Sequence, residues 1–123
     1  MKIHPMPPLA LALLLLCLPI SMASAATITT KSYKITIIEN CEEDVACQDV
    51  TFTAKNLENG QRIRLKGQAV TSICSDGVTP CHHQGYKFID GNATYFVSDD
   101  DWFEISRNGK IVLHEDFISD DRD

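Results

Sequence analysis

After residue 25 the chain has no apolar run long enough to cross a bilayer, no Cys-x-x-Cys, no window of helical periodicity and no surplus of positive charge. Each absence excludes something. A membrane-spanning helix needs roughly 20 apolar residues, so no transmembrane segment is expected downstream of residue 25. Without Cys-x-x-Cys, redox exchange lacks the motif that depresses a thiol pKa. Once Lys2 is set aside, 10 basic residues stand against 17 acidic ones. A net field of that sign repels phosphate backbones, so no nucleic-acid partner is expected. No serine or free cysteine occupies a nucleophile motif and no cofactor motif is present, so the chain reads as non-enzymatic and without a cofactor.

What is there begins with a leader. Lys2, an apolar run from Leu9 to Leu18 and the small residues Ala23-Ser24-Ala25 follow the order read by a signal peptidase, with cleavage after Ala25. Residues 1–25 are therefore expected to be removed, and residues 26–123 to form a single secreted or periplasmic β domain. Cys17 lies within the leader, but Leu16 precedes it where lipidation needs a small residue.

Removal of the leader leaves Cys41, Cys47, Cys74 and Cys81, an even count in a short exported chain, which reads as a disulfide framework. They come as two local pairs, each flanking a polar loop, and Cys41–Cys47 with Cys74–Cys81 is the favoured connectivity. The alternative uses Cys74, Cys81, His82 and His83 as zinc ligands. Its six-residue gap is longer than a zinc knuckle uses, so no metal is expected.

Apolar residues alternate with a period of two from Tyr33 to Ile38, Asp49 to Asn56, Gln61 to Thr71, Gln84 to Ile89, Ala93 to Ser98, Trp102 to Ser106 and Lys110 to Glu115. Short sequential connections make this an all-β antiparallel meander, curled into a small barrel or sandwich. Turn chemistry sets the expected registers. A two-residue Asn59-Gly60 loop pairs Ala54 with Leu65 and Phe52 with Gly67, placing Lys55 opposite Arg64. A three-residue loop, Arg107-Asn108-Gly109, pairs Ile105 with Ile111 and Phe103 with Leu113. Around Asp90-Gly91, the residues Tyr86, Phe88, Tyr95 and Val97 share one face. The acidic tail, Ser119 to Asp123, is expected to fray.

Two surfaces are candidates for partner binding. Asp99, Asp100 and Asp101 followed by Trp102 combine charge with an anchor residue common at interfaces; the ordinary alternative is a solvated turn, and the EF-hand pattern is absent. Lys55, Arg62, Arg64 and Lys66 gather on the outward face of the Asn59-Gly60 hairpin in an acidic protein; the ordinary alternative is a solvated edge face. His82 and His83 could supply a base, yet adjacent strand residues point to opposite faces, and both read as loop or strand-entry histidines, as His114 reads as a surface residue. Asn92-Ala93-Thr94 fits the glycosylation acceptor pattern, which matters only in a eukaryotic secretory route.

Val50-Thr51-Phe52 leading to Gly60, and Trp102-Phe103 leading to Gly109-Lys110 and a last apolar strand, resemble the layout of small periplasmic inhibitors of C-type lysozymes over about half of the domain. The resemblance implies a disulfide-bearing antiparallel β-barrel that occludes an enzyme. The Ser-x-Ser-Gly-x-x-Tyr inhibitory loop of those proteins is absent, so none of its residues carries over. The segment from Cys74 to Cys81 with Gly85-Tyr86-Lys87-Phe88 is similar to one in secreted bacterial proteins of the immunity type. The expectation is thus a non-catalytic exported binding protein, an inhibitor or immunity protein for a toxin or hydrolase. The alternative is an envelope-accessory protein for cell wall, polysaccharide or an outer-membrane partner. Nothing in the chain sets an oligomeric state.

Overall fold

In the computed structural model, residues 24–41 and 46–122 are described, and they form nine strands. These are β1 (Ser24–Thr29), β2 (Tyr33–Glu39), β3 (Val50–Asn56), β4 (Arg62–Ile73), β5 (Pro80–Asp90), β6 (Ala93–Ser98), β7 (Trp102–Arg107), β8 (Lys110–Asp116) and β9 (Ser119–Arg122). No helix occurs among the described residues, in keeping with the all-β expectation. From β1 to β8 each strand pairs antiparallel with its successor, while β9 pairs antiparallel with β1. Because only Phe117 and Ile118 separate β8 from β9, the two edge strands of the curled sheet belong to one stretch of chain and are joined at that corner. Two backbone bonds hold the corner, Phe117 N to Asp101 O at 2.9 Å and Ile118 N to Thr29 O at 2.7 Å.

The acidic tail therefore does not fray through Arg122. Edge strand β1 would otherwise expose a row of unpaired backbone groups, and β9 satisfies them from Ala26↔Arg122 to Thr29↔Ser119. Ser-Asp-Asp-Arg carries no apolar alternation, so periodicity had nothing to register there. The expected leader lies outside the described residues except for Ser24 and Ala25, which extend β1 against Glu39 and Ile38. Pairing with β9 starts at Ala26, the residue that cleavage after Ala25 would leave first.

Two registers differ from expectation. The β3–β4 hairpin pairs Lys55 with Arg62, Ala54 with Ile63 and Phe52 with Leu65, enclosing the four residues 57–60 instead of two. Asn56 explains the longer loop: its Oδ1 accepts from Glu58 N and Asn59 N, and its carbonyl accepts from Gly60 N. Parity is preserved, so the same residues face inward. At β7–β8 the loop is the two-residue Asn108-Gly109, both with positive φ of 51° and 80°, as a type I′ turn requires. The mismatch this would impose is absorbed by a bulge. Arg107 faces Lys110 and Ser106 faces Ile111, then Val112 is passed over and Ile105 faces Leu113. The Asp90-Gly91 region pairs Tyr86 with Val97 and Phe88 with Tyr95, as expected.

Phe52 is the hub of the core, with its ring 4.6 Å from Phe88, 5.7 Å from Tyr95 and 6.1 Å from Phe103. Phe52, Phe88 and Phe103 are fully buried, packed with Ile28, Ile35, Ile37 and Val50. Gly67 makes the stack possible. It lies between Val50 and Phe88 in the ladder, and a Cβ there would meet Lys87 O at 2.2 Å and Phe88 Cδ1 at 2.3 Å. Both favoured disulfides are present, Cys41–Cys47 and Cys74–Cys81. Such bonds persist in oxidising compartments, and in this state Cys74 and Cys81 are bonded to each other. Buried Cys47 joins the core, and its carbonyl accepts from Ala69 N at 2.7 Å, fixing the first loop to β4. Among the described residues no helix is long and apolar enough to cross a membrane.

Glu115 of β8 bolts the seam to the β1–β2 turn. Its Oε1 accepts from Thr30 Oγ1 at 2.8 Å and Ser32 N at 2.9 Å, and its Oε2 from Ser32 Oγ at 2.5 Å. Burial is the largest single influence on this carboxyl and pushes its pKa up. The bonds from Ser32 and Thr30, with Lys31 nearby, outweigh it, and the net pKa lies below the ordinary 4.5. A depressed folded pKa contributes stability that is present above the unfolded value and is lost as pH falls through the folded one. Denaturation midpoints should therefore fall for Glu115→Gln relative to the parent at pH 7, with the gap narrowing as pH drops below about 4.5. A gap unchanged by acid would remove Glu115 as the seam's titrating bolt. Separately, Gly67→Ala should destabilise by about 1–3 kcal/mol in the same measurement, the usual cost of overpacking.

Candidate functional site

Alternation along β6 and β7 sends Tyr95, Val97, Phe103 and Ile105 inward and leaves Phe96 and Trp102 on the outer face, each half-buried. The register sets Phe96 opposite Glu104, and Glu104 opposite His114. Three rings consequently run along the surface, Phe96 to Trp102 at 5.5 Å and Trp102 to His114 at 5.1 Å. His114 is further held by Glu104, Nδ1 to Oε2 at 2.9 Å. Aromatic surface at outward positions of a sheet is the unusual feature here, because outward positions are ordinarily polar when one face is solvated.

Beside the rings lies a depression of about 270 Å³ lined by His83, Gln84, Phe96, Ser98, Asp99, Asp100 and Trp102. Gly85 permits it. A Cβ at Gly85 would come within 2.3 Å of Val97 O and 2.8 Å of Phe96 Cζ, so the Phe96 ring lies across this glycine. The depression brings the Phe96 and Trp102 rings together with the Asp99 and Asp100 carboxyls. Asp99 Oδ2 is 2.6 Å from His83 Nδ1, and the His83 ring meets Tyr86 edge-on at 4.7 Å. The Tyr86 hydroxyl in turn donates to Glu39 at 2.6 Å, joining β5 to the end of β2.

The structure divides the aspartate run by role. Asp99 and Asp100 line the depression with Trp102. Asp101 instead takes φ 67°, the left-handed turn position, and its carbonyl receives Phe117 N at the closing corner. Among the described residues no three His, Cys, Asp or Glu side chains converge as a metal site. The His83–Asp99 pair was not legible from spacing: irregular pairing of β4 with β5 on both sides of Thr71 sets where His83 falls. His82 is exposed. A His–Asp pair is half of a nucleophilic constellation. No hydroxyl is hydrogen-bonded to it among the described residues: His83 Nε2 is buried without a partner, and the lining hydroxyl, Ser98 Oγ, accepts the Asp100 amide at 2.9 Å.

The basic residues are also sorted. Lys55 faces Arg62 and not Arg64, which faces Thr53. Lys66 is engaged by Asp49 at 2.8 Å, and this bond, with one from Asn40, draws the Asp49 carboxyl below its ordinary pKa. Neither Lys34 nor the threonines beside it stood out in the sequence, yet Lys34 lies opposite Lys55.

The stapled loop between β4 and β5 leads into His83. Within it Asp76 accepts from Val78 N and Thr79 N, both at 2.9 Å, and from the Thr79 hydroxyl. The Thr79 side chain and then the two amides hold the Asp76 pKa down at about 2. No family model, curated protein or solved structure matches the chain.

The Asp76 bonds should persist well below the pH at which a free aspartate protonates. Amide resonances of Val78 and Thr79 should titrate with a midpoint of about 2 in NMR spectra, against 3.8 for an unengaged carboxyl. Stability from this group is complete above 3.8 and disappears as pH falls through about 2. Asp76→Asn should abolish the transition, and a midpoint near 3.8 in the parent would show that the loop is not held by this side chain.

Proposed function

We propose that the chain is an exported binding protein without catalytic activity, which neutralises a toxin or hydrolase by seating a basic, projecting part of it on the Phe96–Trp102 depression. The observation that carries this reading is that half-buried Trp102 and Phe96 line one depression with Asp99 and Asp100 on an outer sheet face. An aromatic pair offers apolar area at low conformational cost, and the carboxylates select a cationic partner. The paired His83 holds Asp99 in place. Export agrees with the two disulfides and with the leader pattern, and cleavage after Ala25 would leave the β1–β9 ladder whole.

A second reading has an observation of its own. Ring planes in a row, Phe96, Trp102 and His114, also suit the flat faces of sugar rings, as an envelope-accessory protein binding polysaccharide or cell wall would need.

Affinity capture with the oxidised protein from periplasmic and culture-supernatant extracts, followed by activity assay of the retained protein, separates the two. The binding reading expects a stoichiometric toxin or hydrolase whose activity is suppressed. Trp102→Ala should weaken that complex by about 2 kcal/mol, roughly thirtyfold. Paired reversal of Asp99 and Asp100 to lysine should slow association most at low salt. A partner held equally by both variants would overturn this site. Retention on purified cell wall, lost in Trp102→Ala, would establish the second reading instead.

A further inference from the structure

The outer face of β2, β3 and β4 presents a row that alternation alone does not reveal. Lys34 faces Lys55, and Lys55 faces Arg62, so three cations lie side by side across three neighbouring strands. At about 4.8 Å per strand the row spans roughly 10 Å. In the next row outward positions are Thr36, Thr53 and Arg64. Lys34, Thr36, Thr53, Lys55 and Arg62 together line a depression of about 240 Å³.

Like charges directly opposite in a sheet repel, at a cost of a few tenths of a kcal/mol per pair. Here the repulsion goes uncompensated: among the described residues no ion pair engages Lys34, Lys55, Arg62 or Arg64, although the chain carries 17 acidic residues. The one nearby cation with a counterion, Lys66, lies outside the depression. Asp121 shares the threonine row but stands beyond Thr27, two strands from Thr36.

We propose that Lys34, Lys55 and Arg62, with the Thr36 and Thr53 hydroxyls between them, form a binding site for a single phosphate group. The donor set fits that chemistry: a planar guanidinium fork, two point-charge ammonium groups and two hydroxyl donors around one concave spot. The protein's net charge of −6 works against a long phosphate backbone, which restricts the ligand to one headgroup or one phosphorylated compound. The site stands on β2–β4, apart from the aromatic depression on β5–β7, and does not depend on the partner assigned to that depression.

Titration of the isotope-labelled oxidised protein with inorganic phosphate, at constant ionic strength against chloride, tests the site. Saturable shifts should be confined to the amides of Lys34, Thr36, Thr53, Lys55 and Arg62 and their immediate neighbours. Lys55→Glu with Arg62→Glu should reduce affinity by at least about tenfold, while Lys110→Gln at the β7–β8 turn should leave it unchanged. These side chains sit on the surface, and unaltered dispersion of the core amides confirms that the variants fold. Shifts that never saturate, or that survive the double reversal, overturn the proposal. Sedimentation with phosphatidylglycerol vesicles, absent with phosphatidylcholine alone and lost in the double variant, would identify a lipid headgroup as the source. Phosphate binding without vesicle binding would identify a soluble phosphorylated compound. Failure of phosphate to bind, with loss of a captured protein in the same variant, would refute the phosphate site and give the face to an acidic protein.

Discussion

Everything else in this fold hangs on one demand, that the last stretch of chain serve both edges of the sheet. Lys110–Asp116 completes the ladder on β7, and after a two-residue corner Ser119–Arg122 completes the ladder on β1. A sheet whose two edge strands are joined by two residues has to curl, and curling gives it an inside. The inside is narrow enough that Phe52 reaches three other rings, and close enough across the strands that position 67 tolerates no side chain. Glu115 sits where the demand is greatest, spending all three of its bonds on Thr30 and Ser32 of the facing turn.

Curling also determines what the outside can be. The large aromatics needed at the core are supplied by one parity of each strand, and the opposite parity is free to carry chemistry. Along β2–β4 that parity is cationic and hydroxylic; along β6–β8 it is aromatic and acidic. The two sectors occupy different strands of one rigid sheet, so charge of one sign need not neutralise the other, and an acidic protein retains a locally positive face. Local disulfides join Cys41 to Cys47 between β2 and β3, and Cys74 to Cys81 between β4 and β5.

Strand existence was legible wherever alternation and turn residues agreed, from Tyr33 through Glu115. Inward parity was legible too, because a shift of two residues, such as that of the Asn59-Gly60 hairpin, leaves every side chain on its own face. Register was harder. Asn56 lengthened one loop through its side chain, and a bulge at Val112 reconciled a tight turn with apolar pairing at the other. Strands β1 and β9 carry no clear signature, because one straddles the expected leader boundary and the other is Ser-Asp-Asp-Arg, whose pairing is backbone satisfaction without apolar alternation. Of the candidate surfaces, Trp102 with Asp99 and Asp100 was visible as a string of neighbours. Phe96, Lys34 and the pairing of His83 with Asp99 depend on cross-strand placement, which one-dimensional spacing does not encode.

The seam has a temporal meaning as well as a spatial one. Every ladder from β1–β2 to β7–β8 joins segments adjacent in the chain, whereas β1–β9 joins Ala26 to Arg122, almost the whole length of the domain. Such a pairing carries the largest loop-closure entropy and comes late. A chain emerging from its amino end can zip hairpin onto hairpin, yet β1 keeps a bare edge until Ser119–Arg122 is in place. The domain is thus an open, stickier sheet for most of its assembly, and the acidic Ser119–Arg122 segment is the clasp that ends that exposure.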